Sequence, residues 1–128
     1  MHICHNPPTV AGPFGIYSHG VEAPANARWL FISGQVGSNA DGTTPDDVSA
    51  QADNVWFNLI NVLAAADMDI TNVVKVTMFL VVGTDVTLVR MARDRVIGSW
   101  RPASTLLYVP ALADPKWKVE IEAYAAKA

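Results

Sequence analysis

Only one cysteine, Cys4, occurs in the 128 residues, which excludes an internal disulfide and fits a reducing compartment. Charge is also sparse: 9 Lys and Arg stand against 12 Asp and Glu, a net charge of -3, and no basic run interrupts the chain. A protein that grips phosphate backbones needs a basic stripe, so nucleic acid is not an expected partner. Long apolar runs are missing as well. The longest candidate, Val73 to Val82, carries Lys75 inside it and falls short of the roughly 18 uninterrupted residues of a membrane helix. The stretch MHICHNPP has neither a charged n-region nor an apolar h-region, so a cytoplasmic protein without a membrane partner is expected. No repeat, low-complexity tract or compositional break divides the chain, and residues 1–128 are read as a single domain.

What is abundant is apolar side chain, at 51%, against 16% charged. A domain of this length buries about two thirds of its unfolded surface, so the surplus implies that other subunits cover part of it. His2, Cys4 and His5 have the residue types of metal ligands. They lie together in a terminal segment with no second Cys or His cluster, and a surface stretch is the expected outcome there.

The patterning suggests an α+β order. Ile16 to Val21 and Trp29 to Ser33, separated by Pro24, Ala25 and Asn26, read as a β-hairpin with a long loop, followed by a short strand at Gln35 and Val36. Asn39 to Pro45 is turn-rich. A helix opens at Asp46 or Asp47, since Val48, Ala52, Val55, Leu59, Val62 and Ala66 recur at steps of four and three. Thr71 to Val82 is β-branched and reads as a buried strand. A second helix begins at Asp85 and ends near Gly98, with a stripe of Val86, Val89, Arg93, Val96 and Ile97 and an i, i+4 pair of Arg90 and Asp94. Thr105 to Val109 is strand-like. In the last segment Trp117, Val119, Ile121, Ala123 and Ala125 alternate with Lys118, Glu120, Glu122 and Tyr124, a strand with one apolar and one charged face. One mixed sheet with both helices on a single face accommodates this order.

The segments GIYSHGV, LFISGQVG, VVKVTMFL, RPASTLLYV and KVEIEAYA, in that order and spacing, resemble the YjgF/Rid proteins, also labelled endoribonuclease L-PSP, over nearly the whole chain. The resemblance implies a chorismate-mutase-like fold assembled as a homotrimer, with clefts at the subunit boundaries that hydrolyse 2-imino or enamine acids to 2-keto acids and ammonia without a metal or organic cofactor. It also assigns roles. Glu120 matches the carboxylate that positions the attacking water, though spacing alone does not separate it from Glu122 on the same face. Tyr17 matches a tyrosine that closes the cleft, with Ile16 in place of the usual preceding proline, and His19 falls at the rim. Ser33 and Gly34 match a turn that faces the ligand, and Thr105 lies beside the anchor position.

That anchor is where the chain departs from the family pattern. The arginine that follows Pro-Ala is Ser104 here, and a hydroxyl carries no positive charge to hold a carboxylate. Arg90, Arg93 and Arg101 are the nearby cations, and Arg90 matches a polar helix position facing the cleft. Three readings follow: a trimer that binds a small carboxylate, imine or enamine metabolite with weakened chemistry; an active 2-imino acid deaminase anchored by another arginine; or a non-catalytic regulatory or RNA-related module. Ser33 has no G-x-S-x-G elbow and no His and Asp partners, which argues against a serine hydrolase.

Overall fold

The computed structural model describes all residues 1–128. Its elements in chain order are β1 (Ile3–His5), β2 (Gly20–Glu22), β3 (Arg28–Val36), α1 (Val48–Ala65), β4 (Val73–Val81), α2 (Val86–Ile97), β5 (Ala103–Val109) and β6 (Val119–Lys127). The main sheet has the order β3-β6-β4-β5, in which β4 and β5 run parallel while β6 is antiparallel to both its neighbours. It is a mixed sheet with two helices packed on it, an α+β fold.

Both helices start where an aspartate satisfies the first free N–H groups. Asp47 accepts from the Ala50 N–H at 3.1 Å and Asp85 from the Thr87 N–H at 2.9 Å. Gly98 ends α2 with φ at 58°, a conformation that favours glycine. From α1, Ala52, Val55, Trp56, Leu59 and Leu63 are buried, and they meet Val76, Met78 and Leu80 of β4 and Val119, Ile121 and Ala123 of β6 in one core. Val48, Val62 and Ala66 sit at its margin instead, because Trp56 and Leu63 take the central positions.

Polar side chains of α1 fasten the chain around that core. The buried Gln51 amide donates to the carbonyls of Pro45 and Lys116, both at 2.9 Å, and accepts from the Lys118 N–H. Gly37 passes so close to Gln51 that a Cβ there would lie 2.6 Å from the Gln51 Cα, so only glycine fits this crossing.

The structure corrects three local expectations. There is no hairpin of Ile16–Val21 with Trp29–Ser33: β2 pairs with β1, as Cys4 opposite Val21, and forms a separate two-stranded ribbon. Gln35 and Val36 are not a strand of their own but the end of β3, reached through an irregularity after Ile32. The terminal segment lies at the surface as expected, with Cys4 and His5 exposed in β1 and His2 Nε2 at 3.1 Å from the Asn72 carbonyl. Finally, Asp94 pairs with its neighbour Arg93, at 2.9 Å, not with Arg90, because Arg93 lies in the buried stripe and brings its guanidinium back across the helix.

Candidate functional site

The segment before β2 reaches the free edge of β5. The Ser18 N–H donates to the Pro102 carbonyl at 3.1 Å and Ser18 bridges Ala103 in parallel, which sets Tyr17 beside the start of β5. The Phe14 N–H donates to the Tyr17 hydroxyl oxygen at 3.0 Å, and His19 Nε2 lies 2.6 Å from the Ala11 carbonyl with its ring edge-on to Tyr17. The loop is thereby fastened at both ends of its aromatic pair.

Under this loop is a cavity of about 220 Å³. Phe14, Gly15, Ile16 and Tyr17 form one wall, Met78 of β4 with Ser104 and Leu106 of β5 the floor, and Arg90 and Arg93 of α2 the other wall. Of the residues singled out from the sequence, Tyr17, Arg90 and Ser104 therefore meet here. Arg101 does not join them; it donates to the carbonyls of Gly98 and Trp100, at 2.6 and 2.9 Å, and closes the end of α2.

Glu120, Gly34 and Thr105 lie elsewhere, for a reason the register makes plain. Ser104 is opposite Val76, and Leu106 opposite Met78, so both belong to the face covered by the helices. Thr105 is opposite Thr77, and Glu120 opposite Phe79, so both project from the other face. Within one chain β4 stands between Glu120 and Ser104, and the two cannot share a ligand.

On that other face Ser33 and Gly34 occupy a bulge: Ile32 pairs with Ala123 and Gln35 with Ile121, leaving two residues of β3 against Glu122 alone. They are thus not a turn that ends the strand. The glycine leaves room for Glu120, whose Cδ would lie 2.7 Å from a Cβ at position 34. Burial, and secondarily the charge of Glu122, raise the Glu120 pKa above its ordinary 4.5. Lys75 Nζ donates to Thr105 Oγ1 at 2.6 Å on the same face.

Arg93, named from the sequence both as a nearby cation and as part of the α2 stripe, also lines the cavity. Its signal was an arginine standing where a helix buries leucine or valine. Phe14, Met78 and Leu106 carried no signal, since only the tertiary path of the loop brings them together.

No helix is long and apolar enough to cross a membrane. The family described as Endoribonuclease L-PSP matches residues 8–127. A protein called DfrA from Myxococcus xanthus is 37% identical over 92% of this chain and 88% of its own. A 2-iminobutanoate/2-iminopropanoate deaminase from Bos taurus is 36% identical over 92% of this chain and 82% of its own. Among solved structures, a Rid-family protein of unknown function from Yersinia pestis superposes with a TM-score of 0.85 at 32% identity, covering 98% of each chain. Two helices on one face of a mixed sheet define the class of small α+β domains that these structures share. The chain belongs to the YjgF/Rid family, and a Rid-type function follows from that membership.

Proposed function

We propose that the chain works as a homotrimer in which the cavity of Tyr17, Arg90 and Ser104 meets the Gly34 and Glu120 face of a neighbouring copy, and that this cleft binds a small carboxylate of the imine or enamine type. The division of site residues between two faces of the sheet carries this reading, since a second copy is the simplest way to bring Glu120 to Ser104. The uncovered aromatic face supports it: Phe31 is 72% exposed and Trp29 51%, a patch that a lone chain would leave against water.

In such a cleft Arg90, not residue 104, holds the carboxylate, and Ser104 contributes one hydrogen bond. The Tyr17 hydroxyl already accepts from Phe14, so its proton is free to point at the ligand. Glu120, with its raised pKa, takes a proton from water as the oxygen adds to the imine carbon and returns it to the nitrogen; the proton of the new hydroxyl then passes by the same carboxylate to that nitrogen, which leaves as ammonia as the carbonyl forms. The charge at position 104 is absent, so this chemistry is weaker than in a site with a fixed arginine there. The deaminase name of the 36% identical bovine relative favours the second reading, a fully active 2-imino acid deaminase, with the same residues in the same roles.

Sedimentation and a stopped-flow assay test both. A trimer that binds pyruvate and accelerates loss of 2-iminopropanoate made in situ only weakly fits the first reading; a large acceleration supports the second. A monodisperse monomer overturns the shared cleft.

A further inference from the structure

We infer that the cavity selects ligands carrying two anionic groups, with Arg93 as the fixed receptor of the second one; this rests on the carboxylate-binding reading above. The cavity wall holds two guanidinium groups, from Arg90 and Arg93, spaced i, i+3 on α2, and no Asp or Glu lines it. Every polar side chain of the lining can donate: the two arginines, the Ser104 hydroxyl, and the Tyr17 hydroxyl whose oxygen is taken by the Phe14 N–H. Such a lining recognises negative charge.

The two arginines are not equivalent. Arg90 is exposed and has no hydrogen bond or ion pair within the chain. Arg93 is buried, its side chain 11% exposed, and Asp94 Oδ1 holds it through Nε at 3.0 Å and Nη2 at 2.9 Å. Its Nη1 has no protein acceptor. The Asp94 side chain is 45% exposed, so water screens the negative end of the pair, while the positive end sits against the cavity in a less polar medium. Asp94 thus orients Arg93 while leaving Nη1 for a ligand, and a planar fork held in place is suited to a second carboxylate or a phosphoryl group. At about 220 Å³ the cavity is smaller than the roughly 300–1,000 Å³ pockets of drug-sized ligands, which limits the ligand to a short metabolite.

Calorimetric titration of the intact protein with butyrate, succinate and 2-phosphoglycolate separates the possibilities. Butyrate and succinate have the same number of carbons and differ by one charged group. Binding of succinate, of 2-phosphoglycolate, or of both at least about tenfold tighter than butyrate is expected, and which of them gains tells whether the second group is carboxylate or phosphoryl. Arg93→Gln should bring that ratio close to one, and Arg93→Lys should restore part of it. Equal affinities in the unaltered protein overturn the inference and leave the carboxylate cleft standing; absence of binding by all three overturns both. Arg93→Gln weakening all three ligands alike means that Arg93 does not single out the second group, and also overturns it. Should Arg93→Gln fail to fold, the ratio in the unaltered protein still decides.

Discussion

The same strands build both faces of the main sheet, yet the faces obey different rules. Towards the helices, Val119, Ile121, Ala123 and Ala125 of β6 and Val76, Met78 and Leu80 of β4 are essentially inaccessible. On the opposite side, the residues between them are Glu120, Glu122 and Tyr124, with Lys75, Thr77 and Phe79, beside an aromatic row in which Trp29 stacks on Phe31 and Phe31 meets the edge of Tyr124. A face meant for water would carry polar residues throughout. This one mixes exposed aromatics with a carboxylate whose pKa is already raised, which fits the contact with a second copy proposed above. The helix-covered face stabilises one chain; the other face is where chains and ligands are expected to meet.

The largest effect that tests this contrast is a truncation on each side. Leu59 is fully buried among β4 and β6 side chains, so Leu59→Ala should cost about 2–5 kcal/mol in a denaturant titration. Phe31→Ala, on the uncovered side, should change the stability of the isolated chain by no more than about 0.5 kcal/mol. It should nevertheless shift the assembly towards smaller species in sedimentation, because aromatic anchors dominate interfaces. Equal losses of folding stability in the two variants, with unchanged sedimentation, would break the contrast.

A smaller effect should follow the titration of Glu120. Burial raises its pKa in the folded chain above the ordinary 4.5, with Glu122 adding to the shift. Below that ordinary value the side chain is protonated in folded and unfolded states alike, and Glu120→Gln should be neutral. As pH rises from that ordinary value towards the raised pKa, the unfolded chain releases the proton while the folded chain still holds it, so folding is progressively disfavoured until the raised pKa is passed, and the variant should become the more stable protein towards neutrality. Melting curves between pH 4 and 7.5 check the sign. If the gap between the variant and the unaltered chain does not widen with pH, the carboxylate is better solvated than its surroundings imply. In an imine-hydrolysis assay the same variant should lose activity, by about 100-fold or more if Glu120 carries the proton.

The face pattern itself was legible in the sequence wherever a period was long enough to read. The alternation through β6 assigned Glu120 and Glu122 to one side correctly, and the helical repeat of α1 and the aspartates before both helices located those elements. Short segments were not legible. A three-residue strand such as β2 has no period to follow, and its partner, β1, is fixed by tertiary pairing and not by proximity along the chain. The bulge at Ser33 and Gly34 looked like a turn because glycine serves both, and only the pairing of Ile32 and Gln35 with β6 tells them apart. The family pattern named candidate residues, but adjacent positions on β5 face opposite sides, so Ser104 and Thr105 do not share one pocket of one chain. Arg93 was legible as a nearby cation, but the periodicity that found α2 did not show that its buried stripe position opens on the cavity.

The smallest effect sharpens what the covered face is made of. Trp56 is 1% exposed at the centre of the core, yet its Nε1 donor has no hydrogen-bond partner. An unpaired buried donor costs about 1–3 kcal/mol, comparable with the loss from a modest cavity. Trp56→Phe removes the donor and part of the ring together, so the penalties oppose each other and the net change should stay within about 1 kcal/mol, well below that of Leu59→Ala. A loss as large as that of Leu59→Ala would mean that the indole makes up for its unpaired nitrogen through packing alone. The covered face would then be tuned to shape rather than to polarity, a stricter requirement than the uncovered face has to meet before its partner arrives.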